Sequence, residues 1–258
     1  FGRFAALRGV SASFAPGQLY VVLGDNGAGK STLLRVMAGL LQPSRGSVSL
    51  LGTSNLREVA HRVGYMGHAP LLYDELDGME NLRYFAGLYG LRGDAVCRPA
   101  MEMVGLDPEL SRRVGQYSQG MRQRLSLARA VVHDPELILL DEPFSNVDVH
   151  SAQTMASILG RIRDQGKTIF VVTHQASLME AVANEFVHMA DGFIVRREPG
   201  LPRRAANNSG VPSPQTAESP ENAFPKEQPR HSHDGPEASS QAVQRQPLPG
   251  AAEIEAVR

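Results

Sequence analysis

Gly24-Asp25-Asn26-Gly27-Ala28-Gly29-Lys30-Ser31-Thr32 fits the phosphate-loop pattern G-x-x-x-x-G-K-[ST]. Its glycines let backbone N–H groups converge on β- and γ-phosphates. Lys30 can reach the same oxygens, and the Ser31 hydroxyl can ligate Mg²⁺. Far downstream, the apolar run Leu137-Ile138-Leu139-Leu140 ends in Asp141-Glu142. Two carboxylates at the C-terminal end of a buried strand lie where ligands gather in α/β sheets. There Asp141 can hold Mg²⁺ through water, and Glu142 can polarise an attacking water as general base, a role worth about 10²–10⁴ in rate. A further apolar run, Phe170-Val171-Val172-Thr173, delivers His174, which suits a γ-phosphate contact. Between these motifs lies Tyr117-Ser118-Gln119-Gly120-Met121. A small Gly-containing turn that opens a helix is a second anion site. One chain already has its phosphate loop, so this second reader is most useful on a nucleotide bound by another copy.

The elements that must position these residues follow from periodicity. Gln18–Leu23 reads as a strand running into the phosphate loop, and Lys30–Leu40 as the helix leaving it. Ser47–Leu51 and Arg62–Tyr65 read as strands. Residues 77–130 are mostly helical in pattern, with Glu80–Phe85 and Gly120–Val132 carrying apolar positions at helical spacing. Leu137–Leu140 and Thr168–Thr173 are continuous apolar strands, as in a sheet covered on both faces. Phe186–Met189 and Phe193–Arg196, joined at Asp191-Gly192, read as a closing hairpin. This order implies an α/β fold: a P-loop NTPase (RecA-like) core sheet with a helical subdomain over about 72–130. There is no internal repeat.

Composition sets limits. The 258 residues suffice for a sizeable core, and a net charge of −1 argues against nucleic acid as a partner. Cys97 is the single cysteine, which rules out an internal disulfide or a cysteine-based metal cluster. No apolar run approaches the roughly 18–20 residues of a membrane helix, so a transport role requires a separate membrane subunit. No signal peptide is visible, and a start at Phe1 rather than Met suggests that the natural N-terminus is missing. From Pro199 onward the chain is rich in Pro, Ser and Gln, a composition with little apolar surface to offset ordering entropy. Residues 199–258 are therefore expected to form a disordered tail after an ordered 1–198.

The motif set resembles the ATP-binding subunit of ABC transporters over essentially all of 1–198. The resemblance implies a homodimer with two ATP molecules sandwiched between subunits and a multi-span membrane permease as partner. It also implies a peripheral position on the cytoplasmic face of the cell membrane. In that family the Phe1 position looks like the aromatic that stacks on adenine, with Phe4 as runner-up. Residues 24–32 look like Walker A and 137–142 like Walker B. Ser118, Gln119 and Gly120 look like the signature turn that contacts γ-phosphate across the dimer. Asp148 looks like the D-loop aspartate, and His174 like the switch histidine.

Three positions depart from the family pattern. The signature is Tyr-Ser-Gln-Gly-Met in place of Leu-Ser-Gly-Gly-Gln, Asp25 replaces a common Pro, and His68 stands where a Gln normally senses Mg²⁺ and the attacking water. Gly67-His68-Ala69-Pro70, with Leu72–Leu76 and Glu80-Asn81-Leu82, resembles the haem-exporter branch active in cytochrome c maturation. The Tyr-Ser-Gln-Gly-Met signature is shared with multidrug and polysaccharide exporters. A soluble, non-transport ATPase of the same fold is the third expectation. Those relatives carry two cassettes or coiled-coil insertions, which this chain lacks. An aromatic set after His68 (Tyr73, Tyr84, Phe85, Tyr89) reads either as core of the helical subdomain or as a groove for a short helix of the membrane partner.

Overall fold

The computed structural model describes residues 5–200 and 252–257, with the side chain of Ala252 alone described in the last segment. Two sheets organise the chain. The larger is six-stranded, in the order β4 (Val63–Met66), β5 (Leu137–Asp141), β6 (Thr168–Val172), β2 (Leu19–Leu23), β7 (Glu185–Ala190), β8 (Phe193–Pro199). Every neighbouring pair is parallel except β7–β8. That hairpin turns through Asp191 and Gly192, both at positive φ, as the two-residue turn between strands requires.

Alternation along the buried strands divides the core in two. Leu19, Val21, Ile138, Leu140, Ile169 and Val171 face one way, into a cluster shared with α3 (Gly78–Leu88), α4 (Asp94–Met103), α5 (Gln119–Val131) and α6 (Val149–Asp164). Tyr20, Val22, Leu137, Leu139, Phe170 and Val172 face the other way, onto α1 (Lys30–Met37) and the small sheet. Period-two strands buried on both faces must be apolar at every position, which is why these read as unbroken runs. The short helix α2 (Leu56–Val59) leads into β4.

The small sheet is antiparallel, in the order β1 (Val10–Phe14), β9 (Ala252–Val257), β3 (Ser47–Leu50). Here the expectation of a disordered 199–258 needs correction. Ala252–Val257 is a strand, because Ala-Glu-Ile-Glu-Ala-Val alternates small or apolar residues with acidic ones and finds a ladder partner on each side. Strand β8 also runs through Pro199. The expected boundaries elsewhere are displaced by a few residues. α1 ends at Met37 rather than Leu40, where Gly39 at φ 70° follows the last turn. Three elements that the sequence reading did not name are β1, α2 and α6. Within 77–130 the structure holds three helices, the first closed by a capping box between Asp77 and Glu80.

Candidate active site

The site forms where parallel strands end. β2 runs into Gly24, β5 ends at Asp141 with Glu142 next, His174 lies two residues beyond β6, and His68 lies two beyond β4. These four strand ends belong to consecutive members of the sheet, β4-β5-β6-β2, so four distant stretches of sequence open onto one edge.

A cleft of about 760 Å³ occupies that edge, and its lining includes Asn26, Gly27, Gly29, Lys30, Ser31, Thr32, His68, Glu142 and His174. The loop preceding the cleft's first helix closes on itself. Lys30, 6% exposed, donates from Nζ to the carbonyls of Gly24 (2.7 Å) and Asp25 (2.9 Å), and the Ala28 N–H donates to the Asp25 carbonyl (3.1 Å). Gly29 is the N-cap of α1 at φ 99°. A Cβ there would lie 2.6 Å from the Ala6 carbonyl oxygen, so both backbone conformation and space demand glycine. The helix N-terminus thereby aims free N–H groups into the cleft, a favourable place for phosphate.

Ser31 Oγ donates to Asp141 Oδ1 at 2.9 Å, and Asp141 is 2% exposed. A hydroxyl and a buried carboxylate oxygen at one point suit a hard, oxygen-liganded cation such as Mg²⁺. Among the described residues no group of three His, Cys, Asp or Glu side chains forms an all-protein cage.

Glu142 takes φ 55°, and its N–H donates to the Val172 carbonyl at 2.9 Å, tying the carboxylate to the neighbouring strand end. A non-glycine residue in the left-handed region stores strain, which is common at functional positions. Burial pushes the Glu142 carboxyl above its ordinary value, and Asp141 adds to this; His174 and Lys30 pull the other way. His174 Nε2 stands 3.2 Å from Glu142 Oε1. Half of the His174 side chain is exposed, so it faces the open cleft rather than the core.

Ser118, Gln119, Gly120 and Asp148 do not line this cleft. Ser118 is the N-cap of α5, with its side chain accepting from the Met121 N–H, and Ser118 and Gln119 are exposed. Asp148 is the N-cap of α6. It accepts from the Ser151 N–H (2.9 Å) and from Ser151 Oγ (2.7 Å). The two caps touch: a Cβ at Gly120 would lie 2.5 Å from Ser151 Oγ. Asp25 is exposed and is not part of the cleft lining. Phe1 and Phe4 lie outside the described residues. Sequence reasoning missed Ala5, Ala6 and Arg8, which form one wall of the cleft, and Ser145 and Val172 on another. Arg8 offered only a weak signal, a cation shortly before β1, whereas no pattern marks the two alanines.

The comparisons with known proteins decide the family. The model of the family described as ABC transporter matches residues 7–145, more than half of the chain. The chain belongs to the ABC transporter family, as an ATP-binding, ATP-hydrolysing subunit. It is 35% identical over 199 residues to the ABC transporter ATP-binding protein NatA of Bacillus subtilis, covering 74% of this chain and 81% of NatA. At the same identity over 199 residues it resembles the bacitracin transport ATP-binding protein BcrA of Enterococcus faecalis, covering 76% of this chain and 65% of BcrA. The fold is that of the dimeric ATP-binding cassette MJ0796 solved with ADP and Pi, at TM-score 0.70 and 24% identity, over 77% of this chain and 93% of that one. No described helix is long and apolar enough to cross a membrane.

Proposed function

We propose that this subunit drives an exporter by hydrolysing ATP in a homodimer, each ATP held between the Walker residues of one copy and the signature turn of the other. The observation that carries the reading is the single cleft on which Lys30, Glu142, His174 and His68 converge from adjacent strand ends, while the capped turn at Ser118-Gly120 lies outside it. A signature turn absent from its own cleft is free to serve a second one. In this reading residues 1–198 are the ATP-binding domain and about 72–130 its helical subdomain. The partner is a multi-span permease, and the complex sits on the cytoplasmic face of the membrane.

Roles follow from the geometry. The loop Gly24–Gly29 and the start of α1 bind phosphates through backbone N–H groups, with Asn26, Ala28 and Thr32 shaping the cradle. Lys30 exchanges its two carbonyl partners for β/γ oxygens when ATP enters. Ser31 and Asp141 would hold Mg²⁺, which supplies charge neutralisation at the phosphates when bound. Glu142 accepts a proton from the attacking water; burial that raises its carboxyl makes it a stronger base than an exposed glutamate. His174 positions the γ-phosphate beside that carboxylate. His68, at the end of β4, takes the place of the usual water-sensing Gln, and Asp148 works beside the signature turn. An adenine-stacking Phe1 or Phe4 completes the set.

The cargo is a narrower matter. The name of the bacitracin transport protein BcrA favours transport of an antibiotic such as bacitracin. Gly67-His68-Ala69-Pro70 favours a second reading, haem export in cytochrome c maturation. Reconstitution with the permease in proteoliposomes tests both: ATPase stimulation by haem supports the second reading, and stimulation by a peptide antibiotic alone overturns it. For the catalytic assignment, Glu142→Gln should lower kcat by at least about 10² with nucleotide binding retained, and near-normal turnover in that variant refutes Glu142 as the base.

A further inference from the structure

The turn at Ser118-Gly120 offers hydroxyl and N–H groups but no full positive charge, since Tyr117-Ser118-Gln119-Gly120-Met121 has no ionisable cation. A carboxylate stands beside it: a Cβ at Gly120 would lie 3.9 Å from Asp148 Oδ2. A triphosphate brought to this turn would be repelled by that carboxylate unless a cation stood close by.

Arg112, Arg113, Arg122 and Arg124 flank the turn in the sequence, and they differ in what holds them. Arg122 pairs with Asp74 at 2.7 Å and donates to the Val114 carbonyl at 3.1 Å. Arg124 donates to the Gly105 carbonyl at 2.8 Å. Arg113 is exposed, and nothing ties its side chain to the turn. Arg112 alone of the four spans it. Its guanidinium lies over the Tyr117 ring, 5.7 Å from the centroid, and donates to Met121 Sδ at 3.4 Å. Those two residues bracket Ser118, Gln119 and Gly120. Tyr117 is a firm platform, 7% exposed and packed in the core shared by the helices.

These partners are soft. An aromatic face and a thioether orient the guanidinium plane but leave most of its N–H donors free. Among the described residues no ion pair includes Arg112. It is exposed and does not line the cleft of its own copy. A planar, oriented guanidinium without an acid partner matches phosphate oxygens. Tyr117 and Met121 are also the two ends at which the turn departs from Leu-Ser-Gly-Gly-Gln, and neither Leu nor Gln would offer a π-face or a thioether.

We propose that Arg112 is a phosphate-binding residue that acts across the dimer: held on Tyr117 and Met121, it reaches the triphosphate bound by the second copy and supplies the positive charge that the turn lacks. This rests on the shared-site reading above. A fixed guanidinium there stabilises the charge spread over the phosphoryl oxygens as the bond to the leaving phosphate breaks.

Arg112→Ala should bind ATP as a monomer with unchanged Kd, because Arg112 is outside its own cleft, yet its kcat should fall at least about tenfold. Arg112→Met keeps a stem over Tyr117 without the charge; it should lose turnover equally and serves if alanine impairs folding. Arg113→Ala removes the same charge one position away and should hydrolyse ATP at the normal rate. Mixed dimers show in which direction Arg112 acts. Glu142→Gln and Arg112→Ala are combined before ATP is added. Each mixed dimer then holds one site with an intact Glu142 from one copy and an intact Arg112 from the other, so the mixture should turn over several-fold faster than either variant alone. Glu142→Gln combined with Ser118→Arg should recover likewise. Recovery with Ser118→Arg but not with Arg112→Ala overturns the role of Arg112 across the dimer and leaves the shared site standing; recovery with neither overturns both. Normal turnover by Arg112→Ala or Arg112→Met, or an equal loss in Arg113→Ala, overturns the assignment of Arg112 itself.

Discussion

Alanine at Gly120 adds a single methyl group at the point where the caps of α5 and α6 meet, and its effect can be worked out. Gly120 is inside α5 and has no left-handed φ, so on backbone grounds alanine would be favoured there by about 0.5–1 kcal/mol. The new Cβ, however, would stand 2.5 Å from Ser151 Oγ and 2.9 Å from Ser151 Cβ. The hydroxyl can rotate away only by giving up its bond to Asp148, and the Ser151 Cβ can move only with α6. Overpacking of this kind costs about 1–3 kcal/mol. Gly120→Ala should therefore destabilise by up to about 2.5 kcal/mol net, against a gain on backbone grounds alone. Ser151→Gly alone loses helix propensity and the hydroxyl's bond to the exposed Asp148 carboxylate, so it should destabilise as well. In the double variant the clash is gone, so urea denaturation should show it more stable than the sum of the singles by at least 1 kcal/mol, a coupling expected only for contacting residues. ATPase activity should fall in Gly120→Ala and recover in part in the double variant. Additivity within about 0.5 kcal/mol would refute the contact between the two caps.

Other predictions rest on the cleft and its supports. Gly29→Ala should defeat nucleotide binding without a compensating partner, because φ 99° and the Ala6 carbonyl both oppose it; isothermal titration with ATP would reveal this, and normal affinity would contradict it. With the Glu142 carboxyl raised above its ordinary 4.5, the acid limb of kcat/KM should lie above that value. The folded state also binds the Glu142 proton more tightly than the unfolded chain, so this group's contribution to stability falls as pH rises from 4.5 to its folded pKa. Glu142→Gln should remove that slope in pH-dependent denaturation. His133 stacks on Tyr89 at 3.8 Å, its Nε2 lies 3.2 Å from the Val63 carbonyl, and its Nδ1 is buried without a hydrogen-bond partner. Burial holds this imidazole below the usual 6.5, so stability should decline as pH falls below 6.5; a His133 NMR titration midpoint above 6.5 would contradict this. His68→Gln should keep turnover within a few-fold if the imidazole substitutes for the usual side chain, and a large gain would mean that His68 restrains hydrolysis.

Most of the large sheet, and the strand ends that meet at the cleft, could be read from the sequence because each motif is local. Strand, loop and helix around Lys30 are contiguous, and Leu137–Leu140 is apolar at every position because the strand is covered on both faces. The α6 helix was missed, although Ala152, Met155, Ala156, Leu159 and Ile162 recur at helical spacing. β9 was hidden by its surroundings: a hexapeptide strand inside a Pro/Ser/Gln-rich stretch changes the overall composition little, and its partners lie some two hundred positions away. The contact between Gly120 and Ser151 is likewise invisible in one dimension. Neither residue departs from its local role as part of a capped helix start, and only packing of α5 against α6 brings them together. The Ala5–Arg8 wall lacks any pattern because it contributes backbone and shape rather than chemistry.

The central claim, that each active site is complete only across two copies, is tested most directly by the association state of Glu142→Gln with and without Ser118→Arg. Analytical ultracentrifugation in ATP should show Glu142→Gln as a dimer that reverts to monomer when ATP is removed. The double variant should remain monomeric while binding a fluorescent ATP analogue as tightly as Glu142→Gln does. A double variant that still dimerises with ATP, or a Ser118→Arg single variant that hydrolyses ATP at the normal rate, would contradict the shared site.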